Sequence, residues 1–372
     1  AAETYDIDVV LALTGYGAFL TKQEVQTLKL MEEVTNGAGG IHGKPVRFVL
    51  HDDQSSSQTA VQLATQLMTS RPAVILGPNI AADCGAVGPL MLKNGPVNYC
   101  MSAAYHPPKG SYVFISGVST RAQMVALVRY YRLKGYTRLA LASATDASGQ
   151  DGDFGLADAM KLPENQGMQV VEKVHFNISD VSVTAQAERI KQANPQAILV
   201  WCLGSSFGTM LRGLSQSGID LPVGTTAGNM TLAQMQQFAA FLPTHLFFGS
   251  PPWPVGSDSK VKLPETVLAK QKDFHEAYAR AHAQPDEGAL LAWDPAVIII
   301  DALRKLPEGA TAQQLRDHLL SLRDQPGIGG IYDFVNKEPQ NGLSVEDVVV
   351  SEWNKDRGSW IPVSQLGGEP LE

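Results

Sequence analysis

"NGAGGIHGKPVRFVLHDDQSSS", residues 36–57, decides how the rest of the chain is read. Four glycines and Lys44 ahead of an apolar run have the look of a loop that cradles a phosphate. The order of the surrounding elements argues against that. From Leu20 to Val34 apolar residues recur at helical spacing, and "PVRFVLHDD" (45–53), which follows the glycines, reads as a strand. A dinucleotide loop needs strand, glycines, then helix, because the phosphate must meet a helix N-terminus. The glycines are therefore punctuation: Gly37 suits a helix C-cap, and Gly39-Gly40 a tight turn.

Outward from this stretch the same two textures alternate. "YDIDVVLAL" (5–13) is a buried strand ending in Thr14-Gly15-Tyr16-Gly17. A helix starts near Ser57 with Val61, Ala64, Leu67 and Met68 on its apolar face, and "AVILGP" (73–78) and "PVNYC" (96–100) are further strands. After about residue 119 the rhythm restarts with a helical "VALVRYYRLKG" (125–135). Strands are expected at "RLALAS" (138–143), "QVVEKVHF" (169–176), "AILVWCLG" (197–204) and "LPVGTT" (221–226), with helices near 153–166, 184–194 and 206–217. The tail offers a Pro-rich loop at 250–256, helices near 262–282 and 288–304, and strands near 347–352 and 359–363. Strands alternating with helices predict parallel sheets with right-handed crossovers, and two such series predict an α/β protein of two doubly wound lobes. Ligands of such sheets sit beyond the carboxyl ends of the strands, so the loops there hold the functional interest.

The bulk numbers set outer limits. At 372 residues the chain exceeds one ordinary core. Hydrophobic residues at 44% and charged ones at 18% describe a globular chain, and a net charge of −8 without a Lys/Arg run argues against nucleic acid as a partner. No apolar stretch reaches the roughly 18 residues of a membrane span. The start at Ala1-Ala2-Glu3-Thr4, with no Met or basic segment, suits a mature exported protein whose signal peptide has been removed. Three cysteines exclude a disulfide scaffold and leave one bridge open.

Catalytic and metal chemistry finds little support. His51 and Asp52 on a strand point to opposite faces, which disfavours a metal site with Asp53. His275-Glu276 and His282 miss the helical spacing of a zinc motif, and Asp146, Asp151 and Asp153 lack that of a calcium loop. There is no G-x-S-x-G, and no cysteine sits in a nucleophile signature. The expectation is a protein that is not an enzyme, with no cofactor and no metal.

Read together, the strand-end loops resemble a known family. "LALTGYGAF" (11–19), "NGAGGIHGKPVRFVLHDDQSS" (36–56), "ILGPNIAADCGAVGPLMLKNGPV" (75–97) and "MLRGLSQSGIDLPVGTTAGNM" (210–230) are similar to type I periplasmic solute-binding proteins of the leucine/isoleucine/valine-binding family, the receptors of ABC importers. The resemblance implies two parallel-sheet lobes joined by a three-strand hinge that close on a ligand in the cleft. Lobe 1 would hold residues 1–118 and about 250–330, and lobe 2 about 119–249 and 331–372. It also implies a periplasmic location, a membrane ABC permease as partner, and a monomer.

The resemblance also implies a site. In the first lobe it falls on Tyr16, Phe19 and Leu20, on Asn79, Ile80 and Ala81, and on Ser102, Ala103, Ala104 and Tyr105. In the second it falls on Phe154, Cys202, Gly204, Ser205, Thr225 and Asn229, with Trp253 as a further ring. Departures from the family pattern inform the ligand. Ala104 stands where amino-acid binders place a Thr on the ligand carboxylate, and Ala81 where a Ser is common. Thr225 falls where an acid meets the ammonium, and residues 222–230 contain no acid. A buried ammonium without a partner costs several kcal/mol, so an amino acid is disfavoured. "GPVNYCMS" (95–102) is similar to a branch associated with aromatic acids, so a small aromatic carboxylate is the expected ligand. The alternatives are a branched-chain amino acid or amide, or a ligand-sensing domain of a signalling system. The same fold makes Cys84 and Cys100 neighbours across adjacent strand ends, and a disulfide is expected between them.

Overall fold

A computed structural model of the protein describes residues 3–372. The Ala1-Ala2 start, on which the export reading partly rests, lies outside the described residues. The chain forms two compact units: residues up to Gly117 with Pro264–Leu343, and Val118–Leu263 with Ser344–Glu372. It passes from one unit to the other three times. The last two crossings come later than the expected 250 and 330, for reasons of packing. Val255 and Val261 bury themselves against Val349 in the second unit, whereas Phe334 packs edge-on against Phe114 in the first.

The first unit begins with β1 (Tyr5–Leu11), α1 (Thr21–Gly37), β2 (Val46–Asp52), α2 (Ser57–Met68), β3 (Val74–Leu76), α3 (Ala81–Met91), β4 (Val97–Cys100) and β5 (Val113–Ile115). Its sheet is parallel throughout, in the order β2-β1-β3-β4-β5. β3 and β5 are buried along their whole length, which is why they are short continuous apolar runs rather than alternating ones. On α2, Ala60 and Ala64 press against Val10, Ile75, Val87 and Met91, with Val61, Leu67 and Met68 at the margin.

The second unit follows with α4 (Thr120–Leu133), β6 (Arg138–Ala144), α5 (Ala147–Met160), β7 (Gln169–Phe176), α6 (Thr184–Ala193), β8 (Ala197–Trp201), α7 (Ser205–Gln216), β9 (Val223–Thr226), α8 (Leu232–Gln237) and β10 (Leu246–Ser250). The chain then returns to the first unit for α9 (Glu265–Arg280), α10 (Glu287–Lys305), α11 (Ala312–Ser321) and the small hairpin of β11 (Gln325–Gly327) and β12 (Gly330–Tyr332). It ends in the second unit with β13 (Val349–Asn354) and β14 (Ser359–Pro362). The second sheet runs β14-β13-β10-β9-β8-β6-β7, parallel from β10 to β7 and antiparallel at the β13 and β14 edge.

Two sequence expectations shift. Helix α5 begins at Ala147 rather than near 153, because Asp146 caps it by accepting from the Gly149 N–H at 3.0 Å. Its glycines weaken the helical signal, yet they are what fits. A side chain at Gly152 would collide with the Trp201 ring. In the glycine stretch, α1 runs through Gly37, and the left-handed backbone falls on Gly39 (φ +96°) and Gly40 (φ +67°) instead. The turn is locked from outside, since Arg304 donates to Gly40 O at 2.8 Å and to Thr35 O at 3.2 Å.

Candidate functional site

In each unit the strand order reverses once, between β1 and β3 in the first and between β6 and β8 in the second. Loops leaving the carboxyl ends of such a strand pair diverge and open a crevice. Most of the expected residues fall on these loops or just beyond them.

In the first unit the β1–α1 loop carries Tyr16, which is 54% exposed, half-buried Phe19 and buried Leu20. The loop is built on the end of β2. Asp52 accepts from the Leu13 N–H at 3.0 Å and from the Thr14 hydroxyl at 2.8 Å. Burial pushes the Asp52 carboxyl up, but these bonds together with the Gln54 and Thr14 N–H groups hold it below its usual value. Ser55 Oγ donates to Thr14 O at 2.7 Å and accepts from the Gly17 N–H at 3.1 Å. Gly15 (φ +90°) lies flat on this serine, since a Cβ there would come within 2.6 Å of Ser55 Oγ.

The side chain of Asn79, in the expected ligand set, is engaged within the first unit. The amide is buried, accepting from the Ala12 N–H at 3.0 Å and donating to Thr21 Oγ1 at 2.9 Å and Glu24 Oε2 at 3.0 Å. It stitches the β1 and β3 loops together, and only its backbone and neighbours Ile80 and Ala81 remain for a ligand. Ser102, Ala103 and Ala104 are half-buried, with Ser102 Oγ accepting from the Ala104 N–H at 3.4 Å. Tyr105 lies over α3, its ring filling the space left by Gly85 and Gly88. The ring also packs against Cys84 and Cys100, which are joined in a disulfide with Cα atoms 6.0 Å apart.

In the second unit, Phe154 on α5 is 70% exposed and Ser205 at the start of α7 is exposed. Cys202 is fully buried, and burial raises its thiol pKa, so it stays protonated. Thr225 and Asn229 are both buried and hydrogen-bonded within the unit. Trp253 is 4% exposed and packs edge-on against Trp360, as a core ring does. A cavity of about 340 Å³ in this unit is lined by Leu211, Leu214, Val223 and Phe241. It sits at the amino-terminal ends of β8 and β9, the edge opposite the loops.

Asp146 is a residue that sequence reasoning weighed only for a calcium loop and left out of the ligand set. It ends the β6 loop at the crevice, half-buried, close enough to Cys202 for its charge to act there. The signal was present, because an Asp right after a strand that starts a helix is an N-cap.

Three of the helices at these crevices, α1, α3 and α7, share a trait that α5, capped by Asp146, lacks. The N-caps of α1, α3 and α7 are Leu20, Ile80 and Gly204, none with a side-chain cap. Elsewhere Ser56, Ser119, Thr231, Asp286 and Thr311 cap α2, α4, α8, α10 and α11, while α6 and α9 have no side-chain cap. An uncapped first turn leaves N–H donors and a positive dipole end suited to an anion. Among the described residues no cluster of three or more His, Cys, Asp or Glu could hold a metal, and no helix is long and apolar enough to cross a membrane.

Comparison with known proteins agrees with this architecture. An extracellular ligand-binding receptor from Rhodopseudomonas palustris superposes with a TM-score of 0.82 at 18% identity, covering 98% of this chain and 100% of that one. The branched-chain amino acid transporter substrate-binding protein LivJ from Streptococcus pneumoniae, solved with isoleucine, gives 0.77 at 19% identity over 97% and 99% of the two chains. A fatty acid ABC transporter substrate-binding protein from Thermomonospora curvata gives 0.78 at 18% identity over 97% and 91%. At such identities the likeness speaks to the fold. No curated protein matches the chain. The profile described as "Periplasmic binding protein" matches residues 4–358, so the chain belongs to the type I periplasmic binding proteins, the family of substrate-binding proteins of ABC transporters.

Proposed function

We propose that this protein captures a small organic acid in the periplasm, an aromatic carboxylate in first place, and delivers it to an ABC permease without chemical change. One observation carries the reading: of the helices that start at the strand-reversal crevices, α1 and α3 in the first unit and α7 in the second have no side-chain cap, while α5 is capped by Asp146. Exposed rings support it, Tyr16 on the β1–α1 loop of the first unit and Phe154 on α5 of the second, since exposed aromatics suit contact with a ring. Ser102 would supply a hydroxyl to the carboxylate.

A second reading rests on Asp146. A half-buried carboxylate beside the β8–α7 loop could meet an ammonium, which returns a branched-chain amino acid to consideration. A thermal-shift panel of benzoates, cinnamates, short aliphatic acids and branched-chain amino acids separates the two. Ligand at about 100 times its Kd stabilises by about 2.7 kcal/mol. A response to leucine or valine and to no aromatic acid rejects the first reading. A response to the aromatic acids that Ser102→Ala leaves unchanged would remove the serine from it.

A further inference from the structure

We propose that Asp53 and Asp83 share a single proton, and that its loss loosens the loop 14–17, so that this loop is gated by pH. Asp53 follows the last residue of β2, and its N–H donates to Leu11 O at 2.9 Å. Its Oδ1 accepts from the Ser55 N–H at 2.9 Å. Asp83 lies in the first turn of α3, and its Oδ1 accepts from the Ser57 hydroxyl at 2.7 Å. Each acid therefore has one oxygen satisfied. The other oxygen of each, Asp53 Oδ2 and Asp83 Oδ2, is buried with no donor. Asp83 is the charged group that acts most on the Asp53 carboxyl. One proton between the two carboxyls supplies the missing donor, whereas two negative charges there would repel each other out of reach of water.

Among the described residues, no cation is among the charged groups that act on Asp53. The charged groups that act on Asp53 are Asp83 on α3 and Asp52 on β2. Glu24 on α1 feels Asp53 and Asp286, the N-cap of α10. All are acids. Burial, with Asp83 next, pushes the Asp53 carboxyl up to about 7.

The loop depends on this pair through one residue. Ser55, whose N–H Asp53 holds, is the residue that holds Thr14 O and the Gly17 N–H. When both acids ionise, Asp53 is driven from Asp83, and Ser55 and the Tyr16 loop move with it. The relevance to uptake rests on the site reading above, but the gating itself does not.

Hydrogen–deuterium exchange of the amides of residues 14–17 tests this in the full chain without ligand, corrected for intrinsic rates, from about pH 5 to about pH 9. Protection in the wild type should fall at least about tenfold as pH rises through the neutral range. In Asp53→Asn and Asp83→Asn an amide N–H replaces the shared proton permanently, so protection should stay flat. A flat wild-type profile, or a step that survives in the folded variants, overturns the proposal. Carbon-13 NMR of the wild-type aspartate carboxyls gives an arm independent of the variants. One proton of the Asp53–Asp83 pair should be retained until near-neutral pH, and its loss at ordinary carboxylate pH overturns the proposal as well.

Discussion

Asn229 Nδ2 donates to Thr225 Oγ1 at 3.0 Å and to Cys202 O at 2.8 Å, both wholly inside the second unit. Two residues expected at the ligand thus satisfy each other. Asn229 Oδ1 also accepts from the Gly204 N–H and from Gln234 Nε2, so one amide ties the β8–α7 loop to β9 and α8. Asn229→Ala leaves several buried polar groups unpaired and should cost about 2–4 kcal/mol in denaturant unfolding. A loss below about 0.5 kcal/mol would contradict this scaffold role.

Tyr16 and Phe154 are the opposite case. Both side chains are mostly exposed, so their removal should cost little stability. Tyr16→Ala or Phe154→Ala should weaken the best acid of the ligand panel by about tenfold, near 1.4 kcal/mol, as titration calorimetry reads it. Unchanged affinity in both variants would place the ligand elsewhere.

How much of this was legible in the sequence depends on the distance over which a signal acts. The α/β alternation is local, so β2, α2, β6 and β8 stand in the structure where their apolar runs predict them. The family motif reached further, pointing to loops that the structure places at the carboxyl ends of β1, β3, β4 and β8. What it could not convey is side-chain direction. Asn79 and Asn229 sit on loops, where an exposed amide is the ordinary expectation, yet each turns inward to satisfy backbone groups of another element. That need arises only once the chain has folded. Helix α5 was misplaced because its glycines, weak helix formers by propensity, are required by the close approach of Trp201. The Pro-flanked strand β10 and helix α11 lie in the stretch where the alternation fades, and neither was expected.

The Cys84–Cys100 bridge closes a loop of sequence separation 16, beneath Tyr105. Loop-closure entropy in the unfolded chain puts its contribution at about 3 kcal/mol. Reduction and alkylation should lower stability by that order. Without reductant, the denatured protein should titrate a single thiol, that of buried Cys202. Three reactive thiols would refute the bridge.

Glu24 on α1 is fully buried, with Oε2 on Asn79 Nδ2 at 3.0 Å and Oε1 without a donor. Burial foremost, against the Asn79 bond and with Asp286 and Asp53 adding to it, raises its carboxyl well above the ordinary value of 4.5. The folded state therefore keeps this proton to a higher pH than the unfolded chain does. Its share of stability is intact below about pH 4.5 and declines as pH rises toward the folded pKa, by up to about 1.4 kcal/mol per unit. Glutamine matches the neutral acid in shape and still accepts from Asn79. Glu24→Gln should thus equal the wild type in urea unfolding near pH 4 and exceed it at pH 8. A variant less stable than wild type at pH 8, or a gap that does not change with pH, would mean that Glu24 is charged in the folded protein.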